Sequence, residues 1–107
     1  MSSLREAAFQ HRVVERLRIM LPKAFVFKSS PYAPQGFPDI TILYEGKWAA
    51  LECKRSENEH RQPNQEWYVA RCNEMAFCSF IFPENEEEVI SDLLKYLSGS
   101  RNKHGLL

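Results

Sequence analysis

Apolar and polar positions follow two different rhythms along the chain. From Leu4 to Leu21 apolar residues recur at helical spacing until Pro22 interrupts the pattern. Projected at about 100° per residue, Val13, Val14, Leu17, Met20 and Leu21 form one stripe, with Arg5, Arg12, Glu15, Arg16 and Arg18 on the other side. Ser3, followed three residues later by Glu6, has the form of a capping box opening that helix. Glu6 and Gln10 project into the stripe, where a carboxylate and an amide are costly unless something polar meets them. The alternative is that the stripe runs off the core there, leaving Glu6 solvated as a capping partner only. Ala24 to Lys28 then reads as a strand, and Pro31, Pro34, Gly36 and Pro38 mark a loop.

The period of two resumes at Asp39 to Tyr44 and again at Lys47 to Lys54, around Glu45-Gly46, which predicts a hairpin. A two-residue turn sets Tyr44 opposite Lys47, Ile42 opposite Ala49, Ile40 opposite Leu51 and Asp39 opposite Glu52. Like charges placed directly opposite are destabilising. Alternation sends Ile40, Ile42, Ala49, Leu51 and Cys53 to the core face, and Asp39, Thr41, Glu52 and Lys54 to the other. Residues 55–62 are entirely polar and read as a loop, and Pro63 suits the first position of a helix running to about Ala76. Its apolar face is Tyr68, Val69, Cys72, Met75 and Ala76, with Gln65 projecting into the centre. Phe77 to Phe82 reads as a buried strand, and Asn85 with Glu88 as the cap of a last helix, Glu86 to Leu97. The order is αβββαβα. A strand-helix-strand crossover over residues 47–82 implies one parallel pair in an otherwise antiparallel sheet, so the fold class is α/β with helices on the sheet faces.

A chain of 107 residues accommodates one domain, over residues 1–97, with a polar tail at 98–107. With 44% hydrophobic and 26% charged residues it lies within the globular class. No apolar run approaches the ~20 residues of a membrane span, and the start of the chain turns polar before a signal peptide could form, so the expectation is a cytoplasmic protein without a membrane partner. Cys53, Cys72 and Cys78 lack paired metal-site spacing and read as free, buried thiols. His11, His60 and His104 read as solvated. The net charge of zero argues against a polyanion partner, yet residues 1–28 alone carry +4, enough for a phosphate-facing surface. The acidic run Glu84 to Glu88 reads as a charged helix start. Trp48 falls on the Asp39 side of the hairpin, and Trp67 projects away from its helix's apolar face; a dimer contact, a stacking platform and partial burial all remain open for them.

Glu6, Asp39, Glu52 and Gln65 each break an apolar or like-charge rule, and Lys54 stands beside them. Conflicts of this kind tend to mark functional sites. Opposed carboxylates become favourable around a hard divalent cation such as Mg²⁺, which prefers oxygen ligands, and a neighbouring lysine can orient a water or offset charge at phosphorus. The plain alternative is a strand start at Asp39 and a solvated Glu52–Lys54 pair worth little.

Gly36-Phe37-Pro38-Asp39, twelve intervening residues, and then Glu52-Cys53-Lys54 resemble the PD-(D/E)XK nuclease signature. The helical Glu6 ahead of it and a glutamine after it resemble the VRR-NUC and Holliday junction resolvase branches. The resemblance implies a restriction-endonuclease-like core and a Mg²⁺ cofactor, with Mn²⁺ as a substitute. It implies Asp39, Glu52, the Cys53 backbone carbonyl and Glu6 as metal ligands, and Lys54 as the residue positioning the water. Gln65 supports the site in this reading, with Gln62 as its rival. The implied function is a structure-selective DNA endonuclease, foremost a Holliday junction resolvase acting as a homodimer. A less selective nuclease on flaps, ends or duplex DNA and a catalytically silent DNA-binding module are the alternatives. Gln10, Lys28, Ser29, Ser30, Gln35, Arg55, Arg61 and Gln62 are the candidate DNA contacts, with the loop Ser29 to Gln35 closing over the backbone. A compact nuclease of this type suits a phage or mobile-element genome and hence a host cytoplasm.

Overall fold

In the computed structural model, which describes residues 4–99, a two-residue turn sets the geometry of the whole sheet. Glu45 and Gly46 have φ of 50° and 78°; positive φ at both central positions is the tight hairpin turn whose twist matches its flanking strands. The strands it joins are β2 (Ile40–Tyr44) and β3 (Lys47–Cys53). Their register is Tyr44 with Lys47, Ile42 with Ala49 and Ile40 with Leu51, as the spacing predicts. β1 (Phe25–Lys28) pairs antiparallel with β2, and β4 (Phe77–Ile81) pairs parallel with β3, giving the order β1-β2-β3-β4.

Three helices complete the predicted order: α1 (Leu4–Met20), α2 (Pro63–Met75) and α3 (Glu86–Ser98). One sheet face, carrying Ile40, Ile42, Ala49, Leu51 and Cys53, packs against Phe9, Val13, Val14 and Leu17 of α1 and Val89, Ile90, Leu93 and Leu97 of α3. The other face is covered only over β3 and β4, where Ala50 and Cys78 meet Val69 and Cys72 of α2. All three cysteines are buried and free. Among the described residues no helix is long and apolar enough to cross a membrane.

Four local expectations need correction. Met20 and Met75 are exposed rather than core, because each is the last residue of its helix and lies past the edge of the packed surface; Phe9 takes a core place instead. Asn85 occupies the N-cap position of α3, but its side chain does not cap the helix: its Oδ1 accepts the Phe82 N–H at 2.8 Å and its Nδ2 donates to the Phe80 carbonyl, holding a 3-10 turn over Pro83–Asn85. The acidic run is more than a solvated helix start. Glu86 is buried and accepts Arg12 and Arg16 at 2.8 Å each, and Glu87 also binds Arg16, so the run clamps α3 to α1. Arg18 binds Glu15 and the Val26 carbonyl. These contacts engage three of the basic residues expected to face phosphate. The capping residue Ser3 and the tail from residue 100 lie outside the described residues.

Candidate active site

The site gathers where β2, β3, α1 and α2 meet. Asp39 immediately precedes β2, and the antiparallel ladder ends beside it: the Cys53 N–H donates to Asp39 Oδ2 at 2.8 Å. N–H and C=O of one antiparallel strand residue point to the same side, so the Cys53 carbonyl faces the Asp39 side as well. The loop before Asp39 is anchored at both ends. The Ser29 N–H donates to the Asp39 carbonyl at 2.7 Å, and Asn64 Nδ2 donates to the Gln35 carbonyl at 3.0 Å. Gly36 permits that second anchor. Its φ is 93°, and a Cβ there would lie 2.7 Å from the Asn64 side chain, so a larger residue would push the loop off α2.

Glu52 and Lys54 lie on the α2 face of β3, as alternation requires, and are only 3% and 4% exposed. Both are held by one amide. Gln65 Nε2 donates to Glu52 Oε2 at 2.9 Å, and Gln65 Oε1 accepts Lys54 Nζ at 2.8 Å and the Gln62 backbone N–H at 3.0 Å. Pro63 at the start of α2 fixes the phase that aims Gln65, at the third helical position, back into the site. This places Gln65 in the cluster, whereas Gln62 contributes its backbone there. Lys54 also donates to the His60 carbonyl at 3.1 Å. An ammonium has three N–H groups, so one remains uncommitted.

The other oxygen, Glu52 Oε1, is sealed from solvent and has no hydrogen-bond partner. The Asp39 and Glu52 side chains act on each other directly. Burial, then the Asp39 charge, pushes the Glu52 carboxyl up to about 8 against the pull of Lys54. Asp39 is also raised, chiefly by burial, although the Cys53 N–H and the Lys54 charge oppose it. Glu6, half-buried on α1, is raised by burial and by the charges of Glu59 and Asp39. Something polar therefore does meet Glu6, and it is the Glu59 carboxyl. Glu59 itself is lowered, because the Arg55 N–H and the charges of Lys54 and Arg55 outweigh its burial. The sequence reading misses Glu59 because residues 55–62 carry no period from which its direction follows.

A buried acid pair with an unpartnered oxygen suits a hard cation. Among the described residues no three Asp, Glu, His or Cys side chains form a ready-made cage; the fitting donor set is Asp39, Glu52 and the Cys53 carbonyl, with Glu6 at its edge. A cavity of about 350 Å³ opens beside them, lined by Glu6, Lys54, Glu59 and both Gln62 and Gln65.

The candidate DNA contacts divide. Lys28 is exposed beside Asp39. Arg61 lies over the Phe80 ring, 4.1 Å from its centroid. Arg55 is paired with Glu59. The Ser29 hydroxyl bonds Thr41 and the Ser30 hydroxyl accepts the Tyr32 N–H, so their side chains serve the loop. Trp67 is exposed with its ring edge against Tyr68, and Trp48 packs near Phe37.

No protein-family model matches the chain, and no curated protein matches it. Two solved structures do. A VRR_NUC domain protein superposes with a TM-score of 0.66 at 17% identity over 91% of both chains. A VRR_NUC domain superposes with a TM-score of 0.63 at 21% identity, over 88% of this chain and 99% of that one. The polypeptide thus has the fold of a VRR_NUC domain.

Proposed function

We propose that this protein is a divalent-cation-dependent DNA endonuclease that cuts branched DNA, with the four-way junction as its preferred substrate. The observation that carries the reading is Glu52: a carboxyl group buried against Asp39, held by Gln65, with one oxygen unpartnered. A protein gains nothing in stability from such a pair, so its place in the fold points to a cation and a phosphate.

Asp39, Glu52 and the Cys53 carbonyl would hold Mg²⁺ or Mn²⁺, with Glu6 bordering it. When bound, the cation supplies neutralisation of the acid pair and polarisation of a phosphodiester. The chain's own residues do the rest. Lys54 offers its uncommitted N–H to the attacking water or to a phosphate oxygen, supplying positive charge where negative charge grows. Gln65 sets the spacing of Lys54 and Glu52 with two atoms of one planar amide, so neither moves without the other. Of the candidate contacts, Lys28 and Arg61 are the cations that no carboxylate engages among the described residues, and they are placed to contact phosphates. One chain supplies one site, and cutting two strands of a junction calls for two related by symmetry. The exposed Phe25, Phe27 and Leu43, on the part of the sheet that α2 leaves bare, support a homodimer.

The test compares a labelled four-way junction, a flap and a linear duplex of matched sequence at one salt concentration with Mg²⁺. Paired, symmetric nicks confined to the junction are expected. Equal cutting of all three would retain the chemistry and discard the junction preference, and Mg²⁺-indifferent binding without cutting would identify a catalytically silent module.

A further inference from the structure

Asp39 also borders a second, half-open cavity, of about 260 Å³, between the loop before β2 and Gln10 of α1. Gln10, one helical turn beyond Glu6, lines it and is only 7% exposed. Its amide makes no hydrogen bond to any described residue, yet it is not sealed in: among the described residues Glu52 Oε1 is the fully buried side-chain oxygen or nitrogen without a partner. The Gln10 amide therefore opens onto the cavity. Water or a ligand that enters the cavity can meet both its donor and its acceptor.

The chemistry of the walls selects the ligand. A phosphate presents acceptors only and would leave the amide oxygen of Gln10 unsatisfied. The Watson–Crick edge of every nucleobase presents a donor and an acceptor side by side, which one amide matches in either orientation. Pro34, exposed, and Phe37, half-buried, offer apolar surface to a ring at this cavity, as in sites that hold an unstacked base. Lys28, at the exposed rim, is placed for that nucleotide's own phosphate. We infer that this cavity takes one unpaired nucleobase of the cleaved strand, adjacent to the phosphate over Asp39 and Glu52. The inference rests on the nuclease reading above and deepens it. An amide that matches any Watson–Crick edge reads whether a base is paired, not which base it is. Bases at a branch or flap unstack cheaply, whereas those in duplex cost a few kcal/mol to extrude, so the cavity supplies a physical basis for choosing branched DNA.

The experiment is an abasic scan. A tetrahydrofuran residue replaces each nucleotide flanking the cut in turn, and single-turnover cleavage is measured with wild type and with Gln10→Met. Wild type should slow about tenfold at one flanking position, the loss expected of one amide's hydrogen bonds plus ring contact. At that position Gln10→Met should show no further dependence on the base. A variant that is merely misfolded slows on intact and abasic DNA alike, so the wild-type scan and the coupling between the two changes carry the test. Cleavage indifferent to every abasic position, or independent effects of the two changes, overturns the cavity's role while leaving the nuclease intact. Failure to cut any DNA overturns both.

Discussion

Replacing Glu52 by Gln should stabilise the metal-free protein at neutral pH while abolishing its chemistry. The Glu52 carboxyl is displaced from 4.5 to about 8 by burial and by Asp39. The native state thus holds a proton that the unfolded chain releases above pH 4.5. Stability from this group is complete below that pH and is lost as pH rises towards 8, at about 1.4 kcal/mol per unit when fully expressed. Between pH 5.5 and 7.5 this amounts to about 2–3 kcal/mol, or roughly 10 °C in Tm for a domain of this size. Glutamine is neutral throughout. Its oxygen can keep the Gln65 bond while its NH₂ faces Asp39, in place of the oxygen that has no partner. Thermal unfolding in EDTA at pH 5.5, 6.5 and 7.5 provides the assay. Wild type should lose about 10 °C more than Glu52→Gln across that range. Parallel pH curves, or a wild type that gains stability with rising pH, would refute the argument that Glu52 is a proton-holding acid inside the fold.

The cation should replace that proton. At pH 7.5, millimolar Mn²⁺ should raise the Tm of wild type by several degrees and that of Glu52→Gln by far less; an equal shift in both would place cation binding elsewhere. Gln65→Ala should lower single-turnover cleavage by roughly a hundredfold because it releases both Lys54 and Glu52, whereas Gln62→Ala, which keeps the backbone N–H, should change it little; the reverse ranking would exchange the roles of the two glutamines. Glu86→Ala should destabilise by about 1–2 kcal/mol, since Arg12 loses its carboxylate partner while Arg16 keeps Glu87 and both guanidinium groups reach solvent, and urea unfolding with an unchanged m-value is the check. Gly36→Ala should also weaken cleavage, through the 2.7 Å approach to Asn64 that a Cβ would close; unaltered cleavage would detach the loop from the site.

Most of the site is legible in residue order because it is built from short-range rules. The Glu45-Gly46 turn admits one pairing, and from it the facing of Asp39 and Glu52 follows by counting. Proline at position 63 fixes the phase of α2, which separates Gln65 from Gln62. Contacts that join distant elements lack such a rule. Glu59 reaches Glu6 from an aperiodic loop, and Glu86 pairs with Arg12 and Arg16 across 74 and 70 residues, so one acidic and one basic run that each look solvated alone neutralise each other in the fold. Asn85 shows the same limit at short range: its sequence context fits a helix cap, but the 3-10 turn before α3 offers its side chain the Phe82 and Phe80 backbone instead.

The central claim is that this buried acid pair, with Lys54, cuts DNA by means of a divalent cation. The most direct measurement follows a 5′-labelled four-way junction with wild type, Glu52→Gln and Lys54→Met, each in Mg²⁺ and in EDTA. The account predicts cleavage by wild type in Mg²⁺ alone, and its loss in both variants. Because Glu52→Gln is expected to be at least as stable as wild type at neutral pH, its loss of cleavage would report chemistry and not unfolding. Cleavage that persists in EDTA or in Glu52→Gln would contradict the account.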